Sequence, residues 1–293
     1  YVMEALWIGI AFSLGLLVRQ FGLPPLVGFL GAGFVLSAGG YESVAVLDHL
    51  AHLGILLLLF TVGLKLRFRS VLTKEVFGGA LIHLTISIAI FLPAIAALTG
   101  IYGESTLVIA VALALSSTVV AAKILEEKKE LRAFHGRVAI GILILQDLVA
   151  VATLSFISGH TPSGFALLLL GLPFLRPLLF KLLELSGHDE VLILFGLGMA
   201  LVLGGMTFEF AGLSAELGAL VAGALLAEHK RSKELADALW GLKEIFLVGF
   251  FLQIGLSGLP SWNGLGFALV LAFLLPLKAV LFFFILLKFR LRA

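Results

Sequence analysis

The chain has 293 residues, 61% of them apolar and only 13% charged, with a net charge of +2. Soluble domains carry about a quarter charged residues, so a soluble globular domain is excluded along most of the sequence. Cysteine is absent, which removes disulfides and thiolate metal sites, and no cofactor or nucleic-acid partner is expected.

A membrane-spanning helix needs roughly 20 mostly apolar residues. In chain order, eleven apolar stretches are predicted as spans, at about 2–18, 24–39, 49–65, 76–98, 106–124, 138–157, 164–185, 190–206, 213–227, 245–259 and 265–287. The first has neither the basic n-region nor the small-residue exit of a signal peptide, and reads as a span that stays. Turns marked by Gly and Pro separate the stretches, as in Phe21-Gly22-Leu23-Pro24-Pro25 and Gly159-His160-Thr161-Pro162. Of the 20 Lys and Arg residues, 19 fall in or beside the connections that follow odd-numbered spans. The connections after even-numbered spans hold none. Basic loops mark the cytoplasmic side, so the N-terminus is expected outside and residue 293 inside, in a multi-pass protein of the cell's inner (plasma) membrane.

Spans one to three can be laid on spans eight to ten. Gly9, Ala11 and Gly15 match Gly198, Ala200 and Gly204 at an offset of 189; Gly28, Ala32 and Gly33 match Gly218, Ala222 and Gly223 at 190; Gly63 matches Gly255 at 192. The copies lie seven spans apart and therefore run in opposite directions, as the inverted repeats of secondary transporters do. Generic small-xxx-small packing would produce any one of these matches, but not their nearly constant offset. The domain layout expected is one transmembrane unit over 1–293, with repeat one at about 1–157, a linker helix at about 164–185 and repeat two at about 190–293. Counterparts of spans five and six would then fall beyond residue 293, making eleven spans of an expected thirteen.

Charges inside a membrane are costly and usually functional. Asp147 lies at the centre of span six and Lys278 near the centre of span eleven, each the obvious partner for the other. A titratable site is favoured over a static pair. Ser116, Ser117 and Thr118 interrupt span five with three hydroxyls that compete for backbone hydrogen bonds. They permit a helix broken at mid-depth, whose freed carbonyls could coordinate a dehydrated cation, or ordinary interhelical hydrogen bonds. His49, His52 and His83 read as interfacial or satisfied histidines, Gln253 as a packing hydrogen bond, and 126–130 as a solvated cytoplasmic loop. No H-E-x-x-H pair, phosphate-binding G-K-[ST] loop or G-x-S-x-G elbow is present, so no enzyme is expected.

Leu113-Ala114-Leu115-Ser116-Ser117-Thr118, followed by Ile144-Leu145-Gln146-Asp147-Leu148-Val149-Ala150, resembles the monovalent cation:proton antiporter-2 family, and within it the Kef-type potassium/proton antiporters. The resemblance implies an all-α polytopic fold of inverted repeats with two crossed broken helices, span five being the first. It implies that Asp147 binds the monovalent cation or the proton, with Gln146, Ser116, Ser117 and Thr118 around it and Lys278 as the core's basic partner. Gln146 stands where electrogenic relatives carry a second acid, which implies electroneutral exchange. Potassium is the favoured substrate and sodium the alternative, with a cation channel less favoured. A homodimer in the lipid bilayer is implied, and a C-terminal regulatory domain outside this chain is possible for the type. The sequence departs from the pattern at Lys65, where an acid is common, and at Leu252-Gln253-Ile254.

Overall fold

A computed structural model describes residues 2–65, 73–100, 102–116, 118–158, 163–259 and 261–288. Every element among them is helical. In chain order these are α1 (Val2–Gln20), α2 (Pro25–Ala38), α3 (Ala45–Gly63), α4 (Lys74–Thr99), α5 (Glu104–Ala114), α6 (Thr118–Glu127) and α7 (Phe134–Ser158). There follow α8 (Gly164–Leu185), α9 (Glu190–Phe210), α10 (Ala215–Leu226), α11 (Ser232–Ala238), α12 (Trp240–Leu256) and α13 (Trp262–Lys288). Lipid offers no partner to backbone polar groups, so a spanning segment must satisfy them internally, and helices do so. Each of the eleven predicted stretches falls on a helix, except span five, which is the pair α5 and α6. The sequence reading missed α11, which sits in a basic connection and meets α12 at 52°. Among the described residues α3, α4, α8 and α9 are long and apolar enough to cross a membrane unaided, and most of the others are shorter apolar helices.

The turns follow from local chemistry. Pro25 opens α2 at a position where its missing N–H costs nothing. Gly100 closes α4 with φ 69°, a left-handed conformation that glycine adopts without steric penalty. The Ser214 hydroxyl accepts the Leu217 N–H at 3.2 Å and caps α10.

Most glycines of the sequence repeat, though not Gly9 or Gly198, are points where helix backbones touch. A methyl group on Gly28 of α2 would stand 2.6 Å from Gly15 Cα of α1, and one on Gly204 of α9 would stand 2.7 Å from Ala219 Cα of α10, beside Gly218. These are corresponding contacts of the two copies. Gly33 of α2 meets Gly255 of α12 with the same 2.6 Å clearance, and Gly223 of α10 meets Gly63 of α3 at 3.0 Å. The second helix of each copy thus packs on the third helix of the other. Alpha-carbon-level approach of this kind excludes any side chain larger than hydrogen. At the centre, α3 is buried from Leu56 to Gly63 on every face, which is why it is apolar all round rather than amphipathic.

A second group of helices surrounds the broken span. Leu84, Phe91 and Ile95 of α4 pack with Ala110 and Ala114 of α5, and Val76 and Ala80 pack with Val138 and Ile142 of α7. The two groups meet through Leu58, Leu59 and Val62 of α3, Ala122 of α6, Ile140 and Leu143 of α7, and Leu247 of α12.

Next to that seam lies an ion network that takes Glu126 out of the run 126–130 read as a solvated loop, while 127–129 are exposed. Glu126 accepts from Lys65 Nζ at 2.7 Å and from Lys243 Nζ at 2.8 Å. Lys123 reaches Glu244 at 2.6 Å. Lys243 is only 1% exposed, so its charge depends on these carboxylates. The network joins the ends of α3, α6 and α12. Gln253, read as a packing hydrogen bond, donates to Asp48 Oδ1 at 2.8 Å and ties α12 to α3 at their other ends.

Candidate ion-binding site

Helix α5 ends at Ala114, and Leu115 is extended at φ −66°, ψ 154°. Ser116 is outside the helices, and α6 resumes at Thr118. Of the two readings the hydroxyl run allowed, the broken helix is the one adopted. Ser117 lies outside the described residues. Thr118 is buried.

A break at this point frees the last carbonyls of one half-helix and the first N–H groups of the next. Two side chains from other helices take up backbone groups at its α5 side. Lys278 of α13 donates from Nζ to Leu113 O at 2.9 Å and to Leu115 O at 2.6 Å. A cation here also meets the negative end of the α5 dipole. Gln146 of α7, fully buried, accepts the Ser116 N–H on Oε1 at 3.0 Å. Its Nε2 lies 2.9 Å from His83 Nδ1 of α4. The His83 ring stacks on Phe282 of α13, centroids 4.0 Å apart. The break is therefore braced from α4, α7 and α13 at once, near the middle of each.

One sequence reading is sharpened here and one changes. The break was read as able to free carbonyls for a cation, and those of Leu113 and Leu115 hold the Lys278 ammonium. His83 was read as an interfacial or satisfied histidine. It is instead fully buried, and only one of its nitrogens has a hydrogen-bond partner among the described residues. Its place ten residues into a 26-residue helix was the available signal, but only once α4 is known to begin at Lys74. Asp147 follows Gln146 in α7; its side chain lies outside the described residues, and the expected pairing with Lys278 lies outside them too.

Residues 8–293 match the transmembrane sodium/hydrogen exchanger family model. The match covers almost the whole chain, including the broken span and all three helices that brace it. It is a transporter family and not an enzyme family, and its members exchange cations for protons across a membrane. The chain accordingly belongs to the sodium/hydrogen exchanger family and is an all-α, multi-pass cation/proton antiporter.

Proposed function

We propose that the protein exchanges one monovalent cation, potassium in preference to sodium, for one proton by alternating access, with Asp147 binding either in turn. The observation that carries this reading is the braced break. Leu115, Gln146 and Lys278 converge from three helices, and Asp147 is the next residue along α7 from the amide that holds the break. A carboxylate in low dielectric favours its neutral form, while a nearby cation favours the charged one. That competition suits a site that must trade a proton for a metal ion. Ser116, Ser117 and Thr118 supply neutral oxygens around it. Lys278 already sits on two backbone oxygens as a tethered cation, and holds the break when the site is empty of metal.

Gln146 has no ionisable proton, so a single carboxylate handles the exchange and the cycle is electroneutral. The same reading carries the finer architecture: repeats at about 1–157 and 190–293 joined by the helix at 164–185, and a homodimer in the cell's inner membrane. The N-terminus is outside. Sodium is the second reading, and membership of the family is compatible with it.

The deciding experiment uses purified protein in liposomes carrying a pH dye. Potassium, sodium and lithium are added in turn, with and without a membrane potential. Electroneutral exchange gives proton movement that an imposed potential does not alter. Asp147→Asn should abolish it, and full activity in that variant would overturn the assignment. Current without proton movement would identify a channel.

A further inference from the structure

The brace on the Ser116 side has a direction that its chemistry dictates. A backbone N–H can only donate, so the Gln146 atom facing Ser116 is oxygen. The amide nitrogen then faces His83 Nδ1, and because it too can only donate, Nδ1 must be the bare acceptor. His83 is thus neutral with its proton on Nε2. That Nε2 is buried without a hydrogen-bond partner among the described residues. Burying an unpaired N–H costs stability, and an apolar side chain of similar volume would fill the space against Phe282 without that cost. What an imidazole supplies here, and leucine could not, is the acceptor at Nδ1.

We infer that His83 is a positioning residue for ion binding: its neutral Nδ1 fixes the orientation of the Gln146 amide, and the amide in turn holds the Ser116 peptide at the break in span five. Without the acceptor, an amide that keeps its oxygen on the Ser116 N–H buries its NH2 unpaired, and a flipped amide sets that NH2 against the Ser116 N–H, so the bond to Ser116 weakens either way. The backbone next to the cation site then loosens, which weakens cation binding before it affects turnover. This inference rests on the antiport reading and adds a residue to that same site.

The test pairs transport kinetics with a spectrum. In proteoliposomes, His83→Leu should raise the apparent KM for the cation about tenfold, the scale of one lost hydrogen bond, with Vmax little changed. His83→Asn carries an acceptor oxygen at the same δ position and should restore KM most of the way. Separately, histidine-labelled wild-type protein is examined by 15N NMR, with the His83→Asn variant identifying the His83 signals. The expected signature is a neutral ring with the proton on Nε2 and a hydrogen-bonded, unprotonated Nδ1. An unchanged KM in His83→Leu would overturn the inference, as would an Asn variant no better than Leu, or a proton on Nδ1. If wild-type protein exchanges no cation, the antiport reading fails, while the spectrum still decides the hydrogen-bond chain. The spectrum also decides it if His83→Leu does not fold.

Discussion

Lys278 and Leu115 are 163 residues apart in the chain, and the lysine ammonium lies 2.6 Å from the leucine carbonyl oxygen. One donor thereby closes a gap that the Ser-Ser-Thr run opened in span five. The relationship joins the last helix of the chain to the first half of a broken one, and it makes the integrity of the break depend on a side chain far away in sequence.

Lys278→Met should therefore cost both stability and transport. Two partly buried carbonyls would lose their donor, at up to about 1–3 kcal/mol for each group left unsatisfied. The variant should melt at lower temperature in detergent and exchange cations at least about tenfold more slowly. A melting temperature equal to wild type would show that the brace carries no load.

The glycine contacts of the two repeats should respond alike. Gly63→Ala drives a methyl group into the α10 backbone at Gly223, and Gly33→Ala drives one into α12 at Gly255. Neither neighbour is a flexible side chain that could yield, so each substitution should destabilise by about 1–3 kcal/mol. Gly9→Ala meets nothing within 4 Å and should be neutral, because a surface position has room for the methyl. Thermal unfolding of the three variants side by side checks this.

Lys243→Met removes the most buried charge in the network near the seam between the helix groups. Glu126 would keep Lys65 at 2.7 Å but lose its second partner. Breaking a buried pair by removing one member costs about 3 kcal/mol, and the loss should fall substantially in the Lys243→Met, Glu126→Gln double variant. A double-mutant cycle on melting curves measures the coupling.

The junction between α8 and α11 gives a pH prediction. Arg231 donates to Leu183 O at 2.7 Å and bonds Glu234, which also lies 2.5 Å from His188 Nδ1. Hydrogen bonds from Arg231, and then from His188, hold the Glu234 carboxyl down to about 2, against an ordinary 4.5. A depressed folded value means that the contact contributes at every pH above the ordinary one and is lost only as pH falls through the folded one. Glu234→Gln should thus speed amide exchange at Gly187 and His188 to a similar degree at about pH 7 and about pH 5. Hydrogen exchange measured by mass spectrometry reads this directly.

The sequence was most informative where a physical constraint acts locally along the chain. Apolar runs of bilayer length became helices because lipid leaves the backbone no other partner. Gly28, Gly33, Gly63 and their matches Gly218, Gly223 and Gly255 marked helix contacts because close approach of two backbones tolerates no side chain. Ser116 to Thr118 marked the break because hydroxyls offer the backbone an alternative to the helix. In contrast, 126–130 looked solvated because every residue in it is charged, and nothing in the local pattern says that Lys65 and Lys243 arrive from beyond it to pair with Glu126.

By itself, then, the sequence determined an all-α, multi-pass membrane protein whose hydroxyl run permitted a break in the fifth span. Only the tertiary structure decided what fills the interruption. It put the Lys278 ammonium on the freed carbonyls, turned the Gln146 amide toward Ser116, and brought His83 in behind it. Hydrogen bonds act over about 3 Å, and their partners here come from helices scattered along the chain. No window of sequence contains them together.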